Sequence, residues 1–139
     1  MGTQASIYYR VPTSNLVRYL MPDEVFQNKP DVMATGWLVG LCEWPAMRAL
    51  HDYMQEDECS LGIEVNIKHK RGILPLNTLV ATATCVDSHG RKSTWEVVVK
   101  NNELIVAEGV CKFIIVHKET YNRLLYDTQQ SNIKALSKS

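Results

Sequence analysis

The 139-residue chain has few cysteines, no excess charge of either sign and no long hydrophobic run, and each of these gaps excludes something. Its four cysteines, Cys42, Cys59, Cys85 and Cys111, stand far apart with no Cys-x-x-Cys pair, so neither a structural zinc site nor a redox motif is spelled out. Apolar neighbours beside each one predict free buried thiols in a reducing compartment rather than a disulfide framework. The histidines, His51, His69, His89 and His117, show no ligand spacing, and no metal is expected. Lys plus Arg equals Asp plus Glu at 15 each, so no net field gathers nucleic acid or an anionic membrane, and neither is expected as a partner. No stretch approaches transmembrane length and no N-terminal run resembles a signal peptide, which predicts a cytoplasmic protein. The start Met1-Gly2-Thr3-Gln4-Ala5-Ser6 fits the loose myristoylation pattern, but no polybasic stretch follows to act as a second anchor.

What is present is ordinary globular usage, 45% apolar and 22% charged, in a length suited to one domain over residues 1–139 with a polar C-terminal tail from about residue 129. There is no internal repeat. Ser6 to Val11 is a β-branched and aromatic run stopped by Pro12, and a short helical turn is expected at Asp23 to Phe26 between Pro22 and Pro30. From Val32 to Met54 the spacing is helical, and the first half is apolar nearly all round, as in a helix at the middle of a protein. Pro45 removes a hydrogen bond at the Leu41 carbonyl, so a kink or restart is expected there. Then come strand-like segments: Gly62 to Lys70, with Ile63, Val65, Ile67 and His69 on one face; Asn77 to Val86; Lys92 to Lys100; and Leu104 to Val116, with turns at Asp87 to Gly90 and at Asn101-Asn102. Tyr121, Leu124 and Leu125 mark a short C-terminal helix. The helix is the one element large enough to cover the apolar face of the resulting antiparallel sheet, which describes an α+β domain.

Three residues stand out chemically. Glu43 lies in Trp37-Leu-Val-Gly-Leu-Cys-Glu-Trp44, and its helical neighbours Val39, Gly40, Ala46 and Met47 supply no cation. Carboxylates ordinarily occupy a polar helix edge, but a buried unpartnered one is kept mainly where chemistry uses it. His69 shares a face with apolar side chains, and turning it outward would bury Lys68 and Lys70 instead. The plainer reading is an edge histidine near a strand end. Facing Glu43 across a cleft, however, the imidazole and the carboxylate set each other's protonation near neutral pH. Thr35, at the helix entrance, suits an N-cap, and that position also places a hydroxyl beside free backbone N–H groups able to hold an oxyanion. In one unbroken helix Thr35 and Glu43 stand about 12 Å apart along the axis. Because Gly36 and Gly40 weaken the entry, regular helix is predicted to begin only after Thr35, with the preceding loop folding back.

The run Ala34-Thr-Gly-Trp-Leu-Val-Gly-Leu-Cys-Glu-Trp44, followed by Ser60-Leu-Gly62 and His69, resembles the hotdog thioesterases of the fluoroacetyl-CoA thioesterase family, from the loop near Pro30 to the last strand. The resemblance implies a hotdog fold, a long central helix wrapped by a curved antiparallel sheet. It implies an acyl-CoA thioesterase hydrolysing a small acyl thioester, with Thr35, Glu43 and His69 catalytic. Substrate would be bound at Gly62, whose backbone lies near the thioester carbonyl, and at Gly36 in the helix entrance. It also implies a homodimer whose two sheets join and whose two sites form near the interface. No cofactor is implied beyond the coenzyme A carried by the substrate. Lys29 stands where the family has an aromatic lid residue and Pro45 follows the Glu-Trp pair, so the resemblance carries the reaction class and not the acyl group.

On that reading backbone N–H groups stabilise the oxyanion, Glu43 is nucleophile or base for water, His69 manages the proton on the thiolate side, and Thr35 orients it or the substrate. Lys70, Arg71, Lys112 and Lys118 are in reach of the sequence argument as phosphate contacts, although such side chains ordinarily form a solvated face. Two alternatives are a non-catalytic hotdog protein binding acyl-CoA or another small ligand, and a hotdog dehydratase or isomerase. Contact between Glu43 and His69 argues against the first, and release of a free thiol excludes the second.

Overall fold

Every second side chain of β3 (Thr78–His89) is buried, namely Leu79, Ala81, Ala83 and Cys85, and β4 (Lys92–Asn101) likewise buries Ser93, Trp95, Val97 and Val99. This period-two burial gives the sheet one wet face and one that needs a cover. In a computed structural model that describes residues 2–138, with side chains as far as Leu136, these strands join β1 (Gln4–Arg10), β2 (Glu58–His69) and β5 (Leu104–His117) in a five-stranded antiparallel sheet of order β1-β3-β4-β5-β2. The cover is α2 (Thr35–His51), which lays Leu38, Leu41, Cys42, Pro45, Ala46, Ala49 and Leu50 against the inner face in one core with Trp95, Val97 and Phe113. Each large side chain so buried contributes about 1.5–3 kcal/mol. The short α1 (Glu24–Gln27) forms where expected, with Asp23 as its N-cap accepting from the Val25 N–H.

Close approach of backbones demands glycine at Gly109 on β5. A Cβ there would lie 2.0 Å from the Asn66 carbonyl oxygen on β2, so any side chain would push the two strands apart.

Several expectations change. Pro45 neither breaks nor restarts α2, which is one helix of 17 residues; the proline is buried in the core, and that packing outweighs one missing hydrogen bond at Leu41. The helix is not enclosed on all sides, since Trp37, Trp44 and Met47 form an exposed apolar stripe. The inner face of β2 also differs from simple alternation. A bulge between Gly62 and Glu64 inserts Ile63 as the extra residue, so Gly62, opposite buried Phe113, takes the inner position and Ile63 is exposed. Past the bulge, Val65, Ile67 and His69 keep the predicted phase, opposite Cys111, Gly109 and Ala107. Finally, α3 (Lys118–Lys138) is a 21-residue helix, so the polar stretch from residue 129 continues it rather than trailing as a tail. Ile133 and Leu136 extend the helical spacing of Tyr121 and Leu125, which accounts for the added turns.

Candidate active site

The entrance of α2 is anchored by backbone. Ala34, and not Thr35, is the N-cap, and it contributes no side-chain bond; its N–H instead donates to the Asn15 carbonyl at 2.9 Å. Asn15 is buried and accepts a hydrogen bond from the Tyr9 hydroxyl, whose ring meets Trp44 edge-on at 6.0 Å. Regular helix is expected only after Thr35, but Thr35 is instead the first residue of the unbroken α2 that also carries Glu43, and its hydroxyl is released from capping. It bonds to His69 Nδ1 at 2.9 Å. That bond fixes the imidazole through Nδ1 and leaves Nε2, which is sealed from water and meets no partner among the described residues. The N–H groups of Thr35, Gly36 and Trp37 open the helix without intrahelical acceptors, since the first helical bond runs from Leu38 N–H to the Ala34 carbonyl. A fixed imidazole therefore stands beside a turn of free N–H donors.

Glu43 forms a second half-site with Gly62. Its Oε2 occupies the space a side chain at position 62 would take, 2.5 Å from where that Cβ would lie. The missing side chain makes room for the carboxylate, and the bulge turns Gly62 inward to meet it. Glu43 meets no cation among the described residues, and burial raises its pKa above the ordinary carboxylate range. A carboxylate so placed is primed to take a proton or to attack.

The two halves do not meet within one chain. Gly62 and His69 are seven residues apart on β2, roughly 20 Å along an extended strand, and no hydrogen bond joins Glu43 to His69 among the described residues. The expectation that these two groups face each other across a cleft is corrected: Glu43, on α2, packs over Gly62 in the middle of β2, whereas His69 stands at the C-terminal end of that strand. Only Thr35 and His69 are brought into direct contact, and only Glu43 and Gly62.

Residues 17–119 match the family of fluoroacetyl-CoA-specific thioesterases. The chain belongs to that family. Fluoroacetyl-CoA thioesterase of Streptantibioticus cattleyicolor is 33% identical over 123 residues, 88% of each chain. A solved fluoroacetyl-CoA thioesterase structure superposes with a TM-score of 0.88 at 30% identity, covering 91% of this chain and 95% of that one. A phenylalanine-to-alanine mutant in complex with fluoroacetate and CoA gives 0.84 at 30% identity, covering 87% and 98%. A Thermus thermophilus member of the thioesterase superfamily, 21% identical, shares the fold at 0.83 over 94% and 93%. The fold is hotdog-like, and membership of the fluoroacetyl-CoA-specific thioesterase family makes the chain a thioester hydrolase.

In this family member three of the four basic residues considered as phosphate contacts are engaged elsewhere. Lys70 pairs with Glu108 at 2.5 Å, Lys112 with Glu64 at 3.0 Å, and Lys118 donates to the Glu56 carbonyl at 3.2 Å. Arg71 is exposed and its side chain meets no acceptor among the described residues. Sequence reasoning missed Asn15 and Tyr9, which hold the α2 entrance from β1 and the following turn. A buried asparagine contacting a residue six positions back leaves no periodic signal; the one hint is the turn-forming run Pro12-Thr-Ser-Asn15.

Proposed function

We propose that the chain hydrolyses a small acyl-CoA thioester, with Thr35, Glu43 and His69 as its catalytic residues and the backbone at Gly62 and Gly36 as substrate-binding groups. The observation that carries this is the Thr35–His69 hydrogen bond at the open N-terminus of α2, matched by a carboxylate lodged against Gly62. The thioester carbonyl takes its place at the free N–H groups, which stabilise the oxyanion as it forms. Glu43 either attacks the carbonyl carbon or takes the proton of an attacking water. In both routes the C–S bond breaks, and the departing thiolate gains its proton from the His69 side; in the first, water then hydrolyses the glutamyl anhydride, which frees the acid and restores the Glu43 carboxylate. The relative bound to fluoroacetate and CoA supports a CoA ester as substrate. No cofactor enters beyond the coenzyme A of the substrate itself.

The separation of the two half-sites supports a homodimer. β2 is an edge strand with Gly62 to Asn66 exposed, including Ile63 and Val65, so its outer edge is open to a second copy. Antiparallel pairing of two copies of β2 about an axis between Val65 and Asn66 sets Gly62 of one copy opposite His69 of the other. Each site then takes Glu43 and Gly62 from one subunit and Thr35 and His69 from its mate, which also gives His69 Nε2 a destination. Among the described residues no helix is long and apolar enough to cross a membrane, and the free thiols support a cytoplasmic setting.

The test is release of free thiol from a panel of short, branched and aromatic acyl-CoAs. Wild type releases thiol from at least one. Glu43→Gln and His69→Ala fall by roughly a hundredfold or more while still unfolding in one cooperative thermal transition. An unchanged rate in Glu43→Gln refutes the assignment, and turnover without thiol release turns the reading to a dehydratase or isomerase.

A further inference from the structure

A buried nitrogen without an acceptor marks another site. Arg18, in the single 3-10 turn Val17–Tyr19, gives Nη2 to Asp31, while its Nε is sealed from water and meets no acceptor among the described residues. A guanidinium has five N–H donors, so this pairing leaves most of the fork unused. Arg18 stands at the run-in to α2. The neighbouring Val17 N–H donates to the Val32 carbonyl at 3.0 Å, and Leu20 Cδ2 lies 3.4 Å from where a Cβ on Gly36 would be. The residues that follow Arg71 pack against the same segment from the other side. Val32 Cγ1 is 3.5 Å from the Cβ position of Gly72, and the Met33 N–H donates to the Ile73 carbonyl at 2.8 Å. Val32 therefore lies between the two arginine-bearing segments, three residues ahead of Thr35. Arg71 is exposed and its side chain meets no acceptor among the described residues, while Asp31 pairs with Arg18.

We propose that Arg18 and Arg71 form a phosphate-binding rim at the α2 entrance that holds the diphosphate of the coenzyme A half of the substrate. The inference rests on the reading of an acyl-CoA substrate given above. Paired guanidinium forks suit phosphate oxygens, which accept two parallel N–H bonds from each. The rim lies on the Thr35–His69 side of the site, where the thiol leaves. The coenzyme therefore extends outward over the rim while the acyl group points in toward Glu43 and Gly62. Asp31 keeps Arg18 in place before substrate arrives and yields to a doubly charged diphosphate.

The test sets the best acyl-CoA of the thiol-release panel against the same acyl group on phosphate-free pantetheine, for wild type, Arg18→Gln, Arg71→Gln and the double variant. The double variant raises KM for the acyl-CoA roughly tenfold or more, with kcat and the pantetheine thioester unaffected. Asp31→Asn, which frees Arg18, lowers KM for the CoA ester alone. Equal losses with both thioesters, or an unchanged KM for the acyl-CoA, overturn the rim. Calorimetry with free coenzyme A separates this inference from the reading beneath it. Coenzyme bound by wild type and lost in the double variant upholds the rim even if no thiol is ever released. Coenzyme bound equally by both, or by neither, overturns it.

Discussion

The Glu43 carboxylate fits where Gly62 has no side chain, its Oε2 2.5 Å from the position a Cβ would hold. Gly62→Ala therefore collides with the working end of Glu43 and with nothing rigid, since the next neighbour, Phe113 Cε1, stands at an ordinary 3.9 Å. A carboxylate at the end of a flexible side chain can swing away at small cost. The expected outcome is a protein that melts within a few degrees of wild type and has lost about a hundredfold in kcat/KM, the scale of a misplacement of about 1 Å. Thermal melting and thiol release measured on one preparation check this. Loss of stability and activity in proportion would instead assign Gly62 to packing.

Burial holds the Glu43 pKa above the ordinary carboxylate range, and the sign of its pH effect follows. In the window between the ordinary and the raised value the folded chain keeps a proton that the unfolded chain has released. This group's contribution to stability is thus complete below the ordinary value and is lost as pH rises through the raised one. Glu43→Gln removes that dependence, so its stability relative to wild type should climb across the same acidic window and then level. Urea denaturation at a series of pH values measures it. The acid limb of kcat/KM should likewise lie above the range of a free glutamate, and a limb at the ordinary value would mean that another group controls the rate.

The strands and the long helix were legible because period-two and period-3.6 patterns survive folding unchanged, as in Leu79 to Cys85 and Leu38 to Leu50. Thr35, Glu43 and His69 were legible as misfits against those patterns. What could not be read was their grouping. The bulge at Ile63 shifts Gly62 to the inner face, and a one-residue insertion has no compositional mark beyond the glycine itself. The exposed Trp37, Trp44 and Met47 look in sequence like core, because an apolar residue type does not say whether its side chain faces the sheet or the surface. Arg18 was missed because its one distinguishing feature, a sealed Nε, is set by tertiary packing and leaves no mark in the sequence around it.

The buried thiols near Glu43 should be inert in the folded protein. Cys42 is pushed up to about 12, first by burial and then by Cys111 and Glu43, and Cys111 to about 11 by burial and then by Glu43. The thiolate is the reactive form, so at neutral pH neither offers an appreciable fraction of it. Iodoacetamide should label half-buried Cys59 first and reach Cys42, Cys85 and Cys111 only on unfolding, with activity retained at one label per chain. Mass spectrometry of peptides from native and urea-unfolded protein reads this out, and rapid native labelling of Cys42 would show that the core opens beside Glu43.

Shared sites make a prediction that single-chain sites cannot. Glu43→Gln alone is inactive, and so is His69→Ala alone, because each homodimer lacks the same group in both sites. If Glu43 of one subunit works with His69 of the other, a heterodimer of the two variants has one site carrying both defects and one site carrying neither. Mixing the two inactive proteins under conditions that exchange subunits should then restore thiol release. Random assortment makes half of the dimers mixed and half of their sites intact, so recovery should approach about a quarter of the wild-type rate per chain. If Glu43 and His69 acted within one chain, every site in the mixture would lack one of them and no activity would return. Val65→Asp, which places like charges about the two-fold axis of the edge strand, supplies the control. Added to both partners it should yield monomers by sedimentation and abolish the recovery.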